Sequence, residues 1–271
     1  MNPQLIDIGA NLTHDSFDRD RADVIARARS AGVGHMIVTG ADAASSSQAL
    51  ALCHAYPGVL YCTAGTHPHH ARDFDPQHAP VKLRALLTNP EIVAVGECGL
   101  DYFRNFSSHP DQLRAFESQL ELAADTGKPV FMHQRDAHAD FIAVVRKYHD
   151  RIGAGVVHCF TGDEKELHDY LDMDMYIGIT GWLCDERRGT HLRELVKLIP
   201  PDRLMLETDA PYLLPRDLKP APKDRRNEPA YLTHILATLA VCTGRAPEQL
   251  AAETTANAMR FFRLRISGRM E

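Results

Sequence analysis

Along the chain, short apolar runs alternate with stretches whose apolar residues recur at helical spacing, and this alternation predicts eight strands separated by helices. Leu5 to Ile8 is the first run. From Ser16 to Ala31 a helix is predicted by Val24, Ile25, Ala28 and Ala31, with Gly32 and Gly34 closing it. His35 to Val38 and Val59 to Ala64 read as the second and third strands, on either side of a helix over Ala43 to Tyr56 that Pro57 and Gly58 stop. A helix around Val81 to Leu87 leads to Ile92, Val93, Ala94 and Val95, apolar throughout, as a strand buried on both faces must be. Pro110 to Thr126 carries an apolar stripe of Leu113, Phe116, Leu120 and Ala123 and ends at Gly127. Val130 to His133, Val156 to His158, Tyr176 to Ile179 and Leu204 to Leu206 complete the strands. Helices are predicted over Asp136 to Tyr148 and Leu192 to Ile199, and again from Ala230 to Phe262 after a proline-rich loop from Pro211 to Pro229.

An open doubly wound sheet would share this alternation, but the polar residues favour a (β/α)8 TIM barrel. Glu97, His133, His158 and Asp209 all fall at the C-terminal ends of strands, the face on which barrel enzymes carry their chemistry, and closure of the barrel brings those ends together. Glu97 is the most telling of them. An unpaired carboxylate directly after a buried strand costs several kcal/mol, and Gly96 and Gly99 beside it allow a cation, a ligand or backbone to come close. Two imidazoles and two carboxylates converging on one point suit a divalent cation. Such a cation would lower the pKa of a bound water toward ~7 and polarise a phosphoryl or carbonyl oxygen while a free carboxylate takes the proton. The chemistry so described is hydrolysis.

Composition narrows the class. A chain of 271 residues, 44% hydrophobic, matches one barrel domain over residues 1–271. Its formal charge of -6 offers no global attraction for nucleic acid, so any such contact must be a local patch. Six cysteines scattered through apolar stretches without a CxxC pair read as reduced thiols of a cytoplasmic protein, and no apolar run approaches the ~18 residues of a membrane span.

The blocks GECGLDY, PVFMHQRDA, VVHCFTG, YIGITGW and LMLETDAPYLLP, spread from end to end of the chain, resemble those of the TatD deoxyribonuclease family. The resemblance implies a metal-dependent hydrolase barrel in the cytoplasm that cleaves single-stranded DNA or RNA from the 3′ end. Carried onto this chain, it implies Glu97, His133 and His158 as metal ligands and Asp209 as the carboxylate that binds metal or activates water. One position departs from many family members, which have an H-x-H pair at the end of strand one where this chain has Gly9-Ala10-Asn11. Glycine offers no ligand and a neutral amide a poor one, so one ion is expected in the free protein, with any second completed by substrate.

Around these residues, His67 and His69 are candidates to contact a scissile phosphate, Trp182 to stack on a base, and Arg135 and Arg225 to pair with the backbone. Tyr102, Phe103 and Phe106 are further stacking candidates. Mg²⁺ is the expected working ion, with Zn²⁺ or Mn²⁺ acceptable to a site with two imidazoles, and a monomer is expected. Two rivals stay open: an amidohydrolase cutting a C–N or ester bond, for instance on aminoacyl-tRNA, and a metal-stabilised binding scaffold without turnover.

Overall fold

The computed structural model describes residues 4–264. Eight parallel strands run in sequence order around a nearly closed barrel: β1 Leu5–Ala10, β2 Val33–Val38, β3 Leu60–Ala64, β4 Ile92–Asp101, β5 Val130–Arg135, β6 Gly155–Val157, β7 Tyr176–Ile179 and β8 Leu204–Leu206. A single parallel bridge between Ala10 and Ala210 and the Asp209 N–H donating to Gly9 O (2.8 Å) draw the last strand against the first. The open-sheet alternative is thereby excluded. Helices fill the crossovers: α1 Arg21–Ser30, α2 Ala43–Ala55, α3 Ala79–Leu87, α4 His109–Thr126, α5 His138–Tyr148, α6 Glu164–Leu171, α7 Leu192–Leu195, α8 Leu232–Thr243 and α9 Pro247–Phe262.

Two apolar layers hold this together. The larger lies between the outer faces of the strands and the helices, with Phe116, Phe141, Leu83 and Leu239 among its members. The smaller fills the barrel axis with Ile6, Ile8, Ile37, Phe131, Val156 and Met205, and α9 closes its lower end with Phe261 and Phe262. The polar groups are left to the opposite end. None of the helices among the described residues is long and apolar enough to cross a membrane, and all six cysteines are free thiols.

Several elements differ from their sequence pattern for local reasons. β4 does not end at Val95 but continues through Glu97 to Asp101, its pairing with β5 shifting between Val95 and Cys98. Gly96 (φ 137°) and Gly99 (φ 139°) make this possible, since a Cβ there would stand 2.2 Å from Phe131 O and 1.9 Å from His133 O. The close approach expected of these glycines is therefore made by the backbone of β5. α1 begins at Arg21, the preceding residues forming a 3₁₀ turn at Asp15–Phe17. Gly34 lies inside β2 rather than beyond the helix. α6 was not legible because only Leu167 and Tyr170 of its eight residues are buried. α7 is one turn long instead of reaching Ile199, and Gly244, left-handed at φ 67°, separates the last two helices.

Candidate active site

The polar end of the barrel opens into a cleft of about 1230 Å³, lined by His67, His69, Glu97, Asp101, His133, His158 and Asp209 and, farther out, by Arg135 and Trp182. Glu97 lies at its centre. One oxygen, Oε1, has His158 Nε2 at 2.9 Å, His67 Nε2 at 3.2 Å and His133 Nδ1 at 3.2 Å. Burial opposes ionisation of this carboxyl, but the charges of His158 and His67 and hydrogen bonds from His133 and His158 hold it well below its ordinary range. The same pairing raises His133 and His158, although burial alone would depress both, and burial carries His67 down to about 4.

Each imidazole is oriented by a second contact. His158 Nδ1 faces Glu207 Oε2 at 3.0 Å, while the other oxygen of Glu207 accepts from the Cys159 N–H at 2.5 Å, so a wholly buried carboxylate fixes the ring with Nε2 toward Glu97. His67 opens the 3₁₀ turn Pro68–Asp73, and its Nδ1 accepts from the His69 N–H at 3.1 Å. That bond requires the proton on Nε2 and makes His67 a donor into the cleft. His69 Nε2 meets Asp101 Oδ2 at 2.7 Å. Asp101 also accepts from the Phe103 and Arg104 N–H groups; despite burial, the nearby charge of His133, the bond with His69 and these backbone bonds hold its carboxyl well below the ordinary range. Beside Asp101 Oδ2, at 3.5 Å, His133 Nε2 is buried without a hydrogen-bond partner.

Asp209 enters from the opposite side with a left-handed backbone (φ 54°). Its Oδ1 accepts from Asn11 Nδ2 at 2.9 Å, and Asn11 Oδ1 accepts from Thr39 at 2.6 Å. Burial, with Glu97 and Glu207 nearby, pushes this carboxyl up to about 7 against the opposing effect of His158. The strand-one residues that replace an H-x-H pair thus have definite roles. Asn11 orients Asp209, and a Cβ on Gly9 would stand 2.5 Å from Glu207 Oε2, so the glycine makes room for the carboxylate beneath His158.

The donor set fits a divalent cation. Beside Glu97 Oε1, His133 Nδ1 at 3.2 Å and His158 Nε2 at 2.9 Å present lone pairs to one point, while His67, protonated on Nε2, borders them as a hydrogen-bond donor. The 2.9 to 3.2 Å separations around Glu97 Oε1 match the edge of an octahedron with bonds near 2.1 Å, about 3.0 Å. With Nδ1 presented beside Glu97, the proton of His133 lies on Nε2, buried 3.5 Å from Asp101 Oδ2 and without a hydrogen-bond partner.

Of the residues singled out from sequence, Glu97, His133, His158, Asp209, His67, His69, Arg135 and Trp182 all line this cleft. Arg225 does not. It is exposed in the loop after β8, its N–H bound to Pro222 O, and no part of it reaches the cleft wall. Tyr102 is also elsewhere, stacked on His109 at 3.5 Å. Arg135 lies 3.9 Å over the ring of Phe103, and Arg188 rather than Arg225 reaches the cleft from the loop arginines. Asp101 and Glu207 were missed. Asp101 was detectable by alternation, since a strand places Glu97 and Asp101, four apart, on one face; Glu207, just past the end of β8, carried no such signal.

Comparison with known proteins agrees with this geometry. The family model for TatD-related DNases matches residues 6–263. A relative from Pantoea vagans named 3′-5′ ssDNA/RNA exonuclease TatD is 52% identical over 260 residues, 96% of this chain and 100% of the relative. Among solved structures, the TatD homologue YjjV of Escherichia coli superposes with a TM-score of 0.89 at 26% identity, covering 98% of this chain and 100% of that one. A TatD family hydrolase from Entamoeba histolytica gives 0.86 at 28% identity, covering 96% and 98%.

Proposed function

Because the chain belongs to the TatD-related DNase family, we propose that it hydrolyses phosphodiester bonds as a 3′–5′ exonuclease on single-stranded DNA and RNA. The cluster of imidazoles on one oxygen of Glu97, at the base of a cleft whose rim carries Arg135 and exposed rings, carries this proposal. Glu97, His133 and His158, with Asp209 opposite, would hold the divalent ion, Mg²⁺ in function and Zn²⁺ or Mn²⁺ by substitution. When bound, the ion supplies Lewis-acid polarisation of a phosphoryl oxygen.

The side chains divide the remaining work. His67 donates from Nε2 to a phosphate oxygen, because its Nδ1 is already occupied. Asp209 accepts the proton of the attacking water at the carboxylate oxygen not bound by Asn11. Arg135 sets a guanidinium against the phosphodiester backbone, and Trp182, half-buried beside the cleft, offers a ring to a base. His69 acts through Asp101 and the backbone of His67 rather than on the substrate directly. The protein is proposed to work as a single domain over residues 1–271, as a monomer, in the cytoplasm.

A 5′-labelled single-stranded oligonucleotide, incubated with Mg²⁺ and then with chelator, tests this. A ladder shortening from the 3′ end only in the presence of metal is the expected result. An intact oligonucleotide, or a ladder insensitive to chelation, would overturn it.

A further inference from the structure

A second group of potential ligands lies outside the cleft, where three segments after the last two strands meet. Cys184 ends the 3₁₀ turn Gly181–Cys184 that follows β7, Asp217 belongs to the irregular connection after β8, and His234 is in the first turn of α8. Their Sγ, carboxylate oxygen and ring nitrogen all lie within 4.8 Å of one another, with His234 Nε2 and Asp217 Oδ1 at 2.7 Å. We propose that Cys184, Asp217 and His234 form a second metal site, selective for Zn²⁺ or another thiophilic transition ion over Mg²⁺.

The donor chemistry sets the selectivity. A thiolate, an imidazole and one carboxylate are the ligands of tetrahedral Zn²⁺, whereas Mg²⁺ prefers oxygen and retains water. Bonds of about 2.0 to 2.3 Å place tetrahedral ligand atoms roughly 3.3 to 3.7 Å apart, so the His234–Asp217 pair, at 2.7 Å, opens by roughly 0.6 Å while the separations to Cys184, within 4.8 Å, close by no more than about 1.3 Å. Side-chain exposures of 28% for His234 and 41% for Asp217 give an ion a route from solvent. Cys184 waits at the inner end, fully buried, its thiol donating to Thr238 Oγ1 at 3.4 Å. Binding an ion there displaces the thiol proton, since the thiolate is the ligand.

Position gives the site a consequence. The turn bearing Cys184 also carries Trp182, and the connection bearing Asp217 carries Tyr212 and Leu213, all three lining the cleft. An ion tied to both and to α8 would clamp the two loops that form that wall.

Cobalt(II) reports thiolate ligation through a sulfur-to-metal charge-transfer band in the near ultraviolet, which oxygen and nitrogen ligands do not give. The full chain, kept in excess Mg²⁺ to occupy the cleft, is titrated with Co²⁺. The expected result is one equivalent of thiolate-bound Co²⁺, abolished in Cys184→Ser and retained in Cys159→Ser, the cysteine beside the catalytic cluster. Asp217→Asn, at a partly exposed position, should fold normally and weaken Co²⁺ at least about tenfold. Absence of the band in the unaltered protein, its survival in Cys184→Ser, or undiminished affinity in Asp217→Asn would each overturn the site.

Discussion

Glu207 shows how much of a site can rest on a side chain that never touches substrate. It is wholly buried, accepts from Cys159 N–H, faces His158 Nδ1, and is given its space by Gly9 and Gly178, at either of which a Cβ would come within 2.5 Å of it. Glu207→Gln would turn an amide N–H toward the His158 N–H and spoil the ring's orientation. Metal affinity, measured by calorimetry on the apo protein, is expected to fall about ten- to a hundredfold with the fold retained. Unchanged affinity would mean His158 is held by something else. Glu97→Ala should abolish turnover while circular dichroism stays native, because Glu97 crowns the barrel rather than filling its axis; near-normal nuclease rates would remove Glu97 from the mechanism. Glu97 and His158 were legible as polar residues ending apolar runs. Glu207 was not, because in ETDAP it precedes the more conspicuous Asp209 and its depth emerges only once β7 and β8 are side by side.

Among the elements, α4 shows where a hydrophobic pattern misleads. Its buried face includes Phe116, Leu120 and Ala123 as read, but also Gln112 and Gln119, whereas Leu113 is only partly buried. The two amides replace missing strand partners. Gln119 accepts from Thr66 N–H (2.6 Å) and donates to Thr66 O (3.0 Å), and Gln112 does the same for Asp101 at 2.8 and 3.1 Å. They secure the ends of β3 and β4 that carry His67 and Asp101. No periodicity of apolar residues reveals a glutamine with such a role. Gln119→Leu strands buried backbone groups and should cost about 1–3 kcal/mol, read as a lower urea midpoint, together with a loss of activity. A pure stability loss with normal activity would show that His67 is positioned independently.

The connection after β8 is anchored differently. Arg226 reaches Asp20 and Glu228, and Arg27 reaches the same two carboxylates. Hydrogen bonding to Arg226 lowers the Asp20 carboxyl from 3.8 to about 2. A carboxyl depressed in the folded state stabilises at pH above its unfolded value and loses that contribution as pH falls toward the folded one. The stability deficit of Asp20→Asn should therefore be constant above about pH 5 and shrink between about pH 4 and 2. A deficit that grows on acidification would contradict the assignment.

For the molecule as a whole, the charge is -6, and the cleft must attract a polyanion with few cations. Each phosphate neutralised contributes roughly 0.7 to the salt slope for a single strand, so affinity should fall only shallowly with salt. A steep slope with tight duplex binding would point to another mode of recognition. The apolar rim offers the compensating contact. Phe103, Phe106 and Tyr212, each more than half exposed, all border the cleft. Phe103→Ala is expected to weaken single-strand binding by about 1–3 kcal/mol in fluorescence anisotropy, and equal binding by both proteins would assign that ring to packing with Arg135.

The dry axis of the barrel also governs traffic. Phe131 and Ile8 lie beneath the reacting groups, and Phe261 and Phe262 close the far end, so no polymer can be drawn through. The terminal nucleotide, once cut, must leave by the opening through which the strand came in, past the strand itself. Release and re-engagement then alternate with cleavage, and digestion should be distributive. An excess of unlabelled oligonucleotide added after the first cuts should halt shortening of the labelled strands within about one nucleotide, whereas continued runs of many nucleotides would require a separate exit for the product.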